Sequence, residues 1–126
     1  MKANELRIGN WVRLHGFNEQ INVIDECGVI GTKKQPLADV KELQPIPLTE
    51  EILLKSDLKH NLDKTIFEIV NKVVGGIEFQ ITIRNYYGEF QLWKEDSLFI
   101  DKPITYLHQL QNWIYLLTQK ELNIEL

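Results

Sequence analysis

Four side chains able to do chemistry stand together near the end of the chain: His108, Gln109, Gln111 and Asn112. Through them runs an apolar line, Leu107, Leu110, Trp113, Ile114 and Leu117, at helical spacing. The spacing predicts a helix with its apolar edge inward and an imidazole and three carboxamides facing out. A solvated helix face ordinarily fills with Lys and Glu, so an uncharged polar face is a candidate docking surface. Carboxamides both donate and accept, which suits a polypeptide backbone, base edges, or the same face of a second copy.

Covalent chemistry finds less support. Cys27 is the only thiol. His108 and Asn112, one helical turn apart, could orient it as a nucleophile. Cys27 falls in an expected turn of the other half of the chain, however, and nothing in the sequence demands that the two meet. The carboxylate pairs Asp25-Glu26, Glu50-Glu51 and Glu95-Asp96 sit at expected turns or a helix start, where acids are favoured on physical grounds. His15, His60 and His108 lack neighbouring ligands at chelating spacing, and one cysteine cannot build a thiolate zinc site. Gly75-Gly76 and Gly28-Val29-Ile30-Gly31 lack the lysine or helix start of a phosphate loop and read as turn punctuation. The expectation is a protein without cofactor or metal that is not an enzyme; a catalyst ranks last among the readings.

Aromatic and basic residues offer two further surfaces. Tyr86 and Tyr87 occupy an expected hairpin tip beside Arg84, and Trp93 falls on a strand near Lys94. Exposed aromatics beside cations bury at protein interfaces or stack on bases; the plainer alternative packs Trp93 under a loop. Arg7, Arg13, Lys33 and Lys34 could make a basic patch on the first half of the chain. The net charge of −4 argues against a general polyanion binder, though it leaves room for a local patch.

These residues must be positioned by one small domain, or two sharing a core, in 126 residues. The segment 1–47 reads as four or five short strands with tight turns around Gly9-Asn10, Gly16-Phe17-Asn18 and Asp25–Gly28, with a last strand through Val40 and Leu43. That pattern suggests a small SH3-like β-barrel. The remainder, 48–126, opens with a helix capped by Thr49 after Pro45-Ile46-Pro47, with Glu50 and Glu51 on its first turn. A polar connection over 58–64 follows. An antiparallel meander comes next, through Ile66–Val70, Ile77–Arg84, the strand containing Phe90 and Leu92, and Leu98–Ile100. Ile77, Phe79, Ile81 and Ile83 alternate with polar residues, so they offer one buried face on which the C-terminal helix can lie. The class is α+β. No apolar run reaches spanning length, no signal peptide is evident at the start, and a lone cysteine suits a reducing compartment. A cytoplasmic location and no membrane partner are the expectations.

Three segments carry a family resemblance: Met1-Lys2-Ala3-Asn4-Glu5-Leu6-Arg7-Ile8-Gly9-Asn10, Pro45-Ile46-Pro47-Leu48-Thr49-Glu50-Glu51, and Tyr106-Leu107-His108-Gln109-Leu110-Gln111-Asn112 with Leu117-Thr118 and Glu121-Leu122. Together they resemble a family of small uncharacterised proteins of Bacteroidetes, often near prophage or mobile-element genes. Relatives tend to carry Gly-Glu after the Thr that ends the last helix, where this chain has Gln119-Lys120. The resemblance implies a mobile-element setting; it brings no activity, cofactor or catalytic residue. The function expected is a binding module for a protein partner or for itself, with nucleic-acid binding through the barrel as the alternative.

Overall fold

The computed structural model describes residues 1–126, apart from the side chains of Ala3 and Val74. The chain is α+β and resolves into two compact units. Residues 1–47 with 106–113 form the first, and 48–105 with 114–126 the second. The sequence division kept 48–126 together; the first half of the C-terminal helix instead counts with the N-terminal strands.

The first unit is one antiparallel sheet curled into a nearly closed barrel. Its strands are β1 (Trp11–Leu14), β2 (Phe17–Ile24), β3 (Val29–Thr32), β4 (Ala38–Asp39) and β5 (Leu43–Gln44), in the order β4-β3-β2-β1-β5. The β1–β2 hairpin turns on His15 and Gly16, both at positive φ, the twist that a two-residue connection requires. Alternation along β1 sends Val12 and Leu14 inward, fully buried, and Trp11 and Arg13 outward. Leu6, Ile21, Ile30, Ala38 and Leu43 complete the core. A bulge between Ile21 and Val23 bends β2 so that the sheet can curl.

Two expectations for this unit need correction. Val40 does not lie in a strand, because Val40–Glu42 forms a 3-10 turn. Asp39 accepts from the Lys41 amide and Glu42 accepts from the Asp39 amide, both at 2.9 Å, a reciprocal cap that favours the turn over an extended chain. Gly31 is not turn punctuation either; it lies within β3. A Cβ there would stand 2.9 Å from the Pro36 carbonyl oxygen and 3.1 Å from the Val23 Cβ. Gly31→Ala should therefore cost about 1–3 kcal/mol by overpacking, and thermal unfolding of the variant checks it; an unchanged midpoint would show that the loop yields freely.

In the second unit, Thr49 caps α1 (Glu50–Leu54) by accepting from the Ile52 amide at 3.2 Å. The sheet that follows is antiparallel, ordered β10-β9-β8-β7-β6. Its strands are β6 (Lys59–His60), β7 (Ile66–Val74), β8 (Ile77–Tyr86), β9 (Glu89–Lys94) and β10 (Ser97–Leu98). The 58–64 connection thus contributes a short edge strand, with Lys59 opposite Glu68 and His60 opposite Phe67. On one face Phe67, Ile81, Ile83, Phe90 and Leu92 are buried. The expected clean alternation of β8 fails at two positions: Ile77 is exposed and Thr82 is buried. Ile77 lies where β7 and β8 run on beyond β9, and Thr82 lies under the side chains of the opposite face described below. The last helix, α2 (Leu107–Thr118), is present where its periodicity placed it.

Candidate functional site

The α2 carboxamides do not form an outward face. His108 and Gln111 are 2% and 1% exposed, and Gln109 and Asn112 are half-buried. The expected docking surface is corrected accordingly. Leu107 and Leu110 are buried as expected and Trp113 is half-buried, so α2 buries polar residues as well as its apolar edge.

What the carboxamides do is visible in their partners within the first unit. The Gln111 Oε1 accepts from the Trp11 amide at 2.8 Å, and its Nε2 donates to the Gly9 carbonyl at 3.1 Å. On their other side, the Gly9 amide donates to the Ile21 carbonyl and the Ile21 amide to the Asn10 carbonyl. One glutamine side chain thus pairs with the backbone on either side of Asn10, and the Gly9 carbonyl also accepts from Gln20 Nε2 of β2 at 3.1 Å. Asn112 accepts from Asn10 Nδ2 at 2.8 Å and from Arg7 Nε at 3.3 Å, and donates to the Glu5 carbonyl at 3.0 Å. Asn10, fully buried, accepts from the Arg7 amide at 2.7 Å. Neutral amides suit this work because they satisfy buried backbone without the cost of burying a charge. The missing Lys and Glu on this helix face were the signal, and burial explains them as well as docking does. Gln109 accepts from the Tyr106 amide at 3.1 Å at the helix start.

His108 stands apart within this layer. Among the described residues neither ring nitrogen has a hydrogen-bond partner, and the ring stacks on Tyr106 with centroids 6.0 Å apart and planes at 10°. Burial lowers its pKa from the ordinary value; Glu5 opposes that shift and the N-terminal ammonium adds to it. With no partner on either nitrogen, His108 does not orient Cys27, which is exposed at the turn between β2 and β3. Among the described residues no three His, Cys, Asp or Glu side chains gather as metal ligands. The Asp25 carboxylate is held by its own turn, accepting from the Cys27 and Val29 amides.

Of the second expected surface, Tyr86 and Tyr87 are exposed and Trp93 is half-buried. Pairing of β8 with β9 sets Thr82 opposite Trp93, Arg84 opposite Gln91 and Tyr86 opposite Glu89. These six side chains therefore share the face opposite the buried Ile81, Ile83 and Leu92. The Arg84 guanidinium carbon lies 4.5 Å from the Trp93 ring centroid, and its Nε donates to Thr82 at 3.3 Å. The Trp93 indole N–H donates to Gln91 at 3.2 Å. Trp93 is half-buried under Arg84. Tyr86 is exposed at the strand end, and Tyr87, at positive φ in the turn, is 93% exposed. Their rings meet edge to face at 4.8 Å. Leu98, opposite Trp93 on β10, extends the row and is exposed.

The basic residues divide. Arg7 is spent on the amide layer, its Nη2 donating to the Gln111 carbonyl at 3.3 Å, which corrects its assignment to a nucleic-acid patch. Arg13, Lys33 and Lys34 are exposed. Lys33 and Lys34 border a shallow groove of about 200 Å³ lined also by Trp11, Asn18, Glu19 and Gln20. The Lys34 ammonium lies 5.3 Å over the Phe17 ring. Glu19 was not foreseen here; it takes an inward position on β2 and accepts from the Thr32 hydroxyl at 2.6 Å.

No helix among the described residues is long and apolar enough to cross a membrane. Set against protein-family models, curated proteins and solved structures, the chain matches none of them.

Proposed function

We propose that this chain is a non-enzymatic binding module that takes a protein partner on the outer face of its second sheet. The observation that carries the reading is the row of Arg84, Trp93, Tyr86 and Leu98 on paired strands with Tyr87 in the adjoining turn, where Tyr86, Tyr87 and Leu98 are exposed and Arg84 and Trp93 half-buried. Tyrosines on a hairpin tip offer large contact area with little side-chain entropy to lose. The Arg84–Trp93 stack pre-sets a guanidinium beside the row, in the composition from which interface anchors are drawn. The barrel is read as SH3-like, which its strand order, its bulged β2 and the 3-10 turn between β4 and β5 support. The second half of α2, with Ile114 buried, is read as the cover of the sheet's apolar face. The resemblance noted above supports a mobile-element setting, and the lone cysteine supports a cytoplasmic one.

Capture from the native host, compared between the unaltered chain and a Tyr86→Ser/Tyr87→Ser variant, tests this. Anchor loss should weaken capture about tenfold or more, while circular dichroism stays unchanged because both rings are exposed. Equal capture by the two chains would show that the row is not the docking face.

The groove between Trp11 and Lys33-Lys34 favours a second reading, nucleic-acid binding by the barrel through Arg13, Lys33 and Lys34 with Phe17 as a stacking surface. A single-stranded oligonucleotide titrated at low salt discriminates. Affinity that falls steeply with ionic strength would favour the barrel; no binding at low salt removes it.

A further inference from the structure

Charge is shared unevenly between the two units, and again between the two faces of the second sheet. The first unit holds six acidic and six basic residues and the second twelve acidic and eight basic, so the whole net charge of −4 falls on the second. Strand register then sorts the charges by face. Lys72 lies opposite Phe79 and Lys94 opposite Ile81, which puts both on the side of the buried Ile81 and Ile83. On the other side Glu68 lies opposite Thr82 and Glu89 opposite Tyr86, and alternation along β8 adds Glu78. The turn between β9 and β10 contributes Glu95 and Asp96, both exposed. The two cations of this face are already engaged or faced by an acid. Arg84 is stacked on Trp93, its Nη2 donating to the Glu95 carbonyl at 3.1 Å and lying 3.9 Å from Asp96. Lys59 stands opposite Glu68. Among the described residues neither Glu78 nor Glu89 forms an ion pair.

We propose that the partner taken by this face is a cationic polypeptide segment, with arginine or lysine at both ends of an apolar stretch, laid along β9. The inference rests on the docking-row reading and names the chemistry of its occupant. Carboxylates stand at both ends of the row, Glu89 across from Tyr86, and Glu95-Asp96 next to Trp93 and Leu98. Glu89 and Glu95 are six residues apart in sequence, which is about 20 Å of extended chain. Charge selects among the possible occupants. A nucleic acid could stack on the aromatics, but its phosphates would meet carboxylates. A second copy presenting the same face would set Glu against Glu, which is unfavourable. A cationic segment brings its charges to carboxylates at both ends. Its apolar centre, with the stems of its basic side chains, covers Tyr86, Tyr87 and Leu98.

Fluorescence anisotropy of the full chain with two labelled peptides tests the proposal. One probe carries paired arginines at each end of a leucine-serine centre; its twin carries glutamates in their place. The arginine probe should bind, more weakly as salt is added, and the glutamate probe should not. Glu89→Gln/Asp96→Asn should weaken the arginine probe about fivefold at low salt. Glu50→Gln/Glu51→Gln takes the same charge from α1 and should leave that affinity unchanged. Equal binding of both probes overturns the proposal, as does binding of neither. An equal loss in the two charge variants also overturns it, because net charge rather than this face would then hold the probe. The docking row is judged separately, by the capture experiment with Tyr86→Ser/Tyr87→Ser. If that variant loses capture while Glu89→Gln/Asp96→Asn keeps both capture and probe, the row stands and the cationic occupant falls.

Discussion

Replacing Gln111 with Ala is expected to destabilise the protein by about 3 kcal/mol, although the residue sits on what reads in sequence as a solvated helix face. The substitution takes the only acceptor shown from the Trp11 amide and one of two donors from the Gly9 carbonyl, which keeps Gln20 Nε2 at 3.1 Å. Gln111 is buried, so water does not simply replace it. Each buried polar group left without a partner costs about 1–3 kcal/mol, and a domain of this size has only about 5–15 kcal/mol in total. Asn112→Ala should cost somewhat less, about 2 kcal/mol, because Asn112 is half-buried and some of its partners can reach water. Gln109→Ala, which removes a bond at the helix start, should cost about 1 kcal/mol or less. Urea unfolding of the three variants gives the ranking. Hydrogen exchange at the Trp11 amide gives the local consequence, a loss of protection in Gln111→Ala with little change in the strands of the second sheet. A Gln111→Ala variant within about 0.5 kcal/mol of the unaltered chain would mean that the carboxamide layer is incidental.

Acid should loosen the same layer through His108. Its folded pKa lies below the ordinary histidine value, because burial disfavours the imidazolium and no acceptor awaits a second proton. The unfolded chain therefore binds a proton on this residue that the folded chain resists. Stability from this source is fully present above about pH 6.5. It falls as the pH drops below that value and levels off once the folded ring also protonates. The slope in the window is at most about 1.4 kcal/mol for each pH unit. Carboxylates contribute their own acid dependence, so the decisive comparison is between chains. His108→Phe keeps a flat ring to stack on Tyr106 and removes the titrating group. Its denaturant midpoint, measured between pH 7.5 and 5.5, should fall less than that of the unaltered chain. Equal slopes in the two chains would show that protonation of His108 is not coupled to folding.

Both outcomes bear on how much of the molecule is legible without coordinates. Local chemistry was readable. Thr49 caps α1 because a hydroxyl before two glutamates, after a proline-stiffened run, has few alternatives. The hairpins were readable from their glycines, and the strands of the second sheet from their β-branched residues. The aromatic tip was readable too, since Tyr86 and Tyr87 sit next to Gly88, in a turn that turns both rings outward. The amide layer was not. Periodicity shows which residues share a side of α2, but not whether a second polar surface covers that side. Here the backbone of Gly9–Trp11 does, a hundred residues away in sequence. Arg7 illustrates the same limit, since a lone arginine looks like a phosphate ligand until carbonyls and an Asn oxygen take its donors.

The chain by itself determined its class, its hairpin turns and its longer strands and helices, because those depend on torsional preference and on patterns a few residues long; the short elements at Val40–Glu42 and Lys59–His60 escaped it. Tertiary structure alone decided which polar residues are available to a partner. Availability depends on whether each donor and acceptor has been matched elsewhere in the fold. Those matches join Asn10 to Asn112 through contacts that no local pattern records.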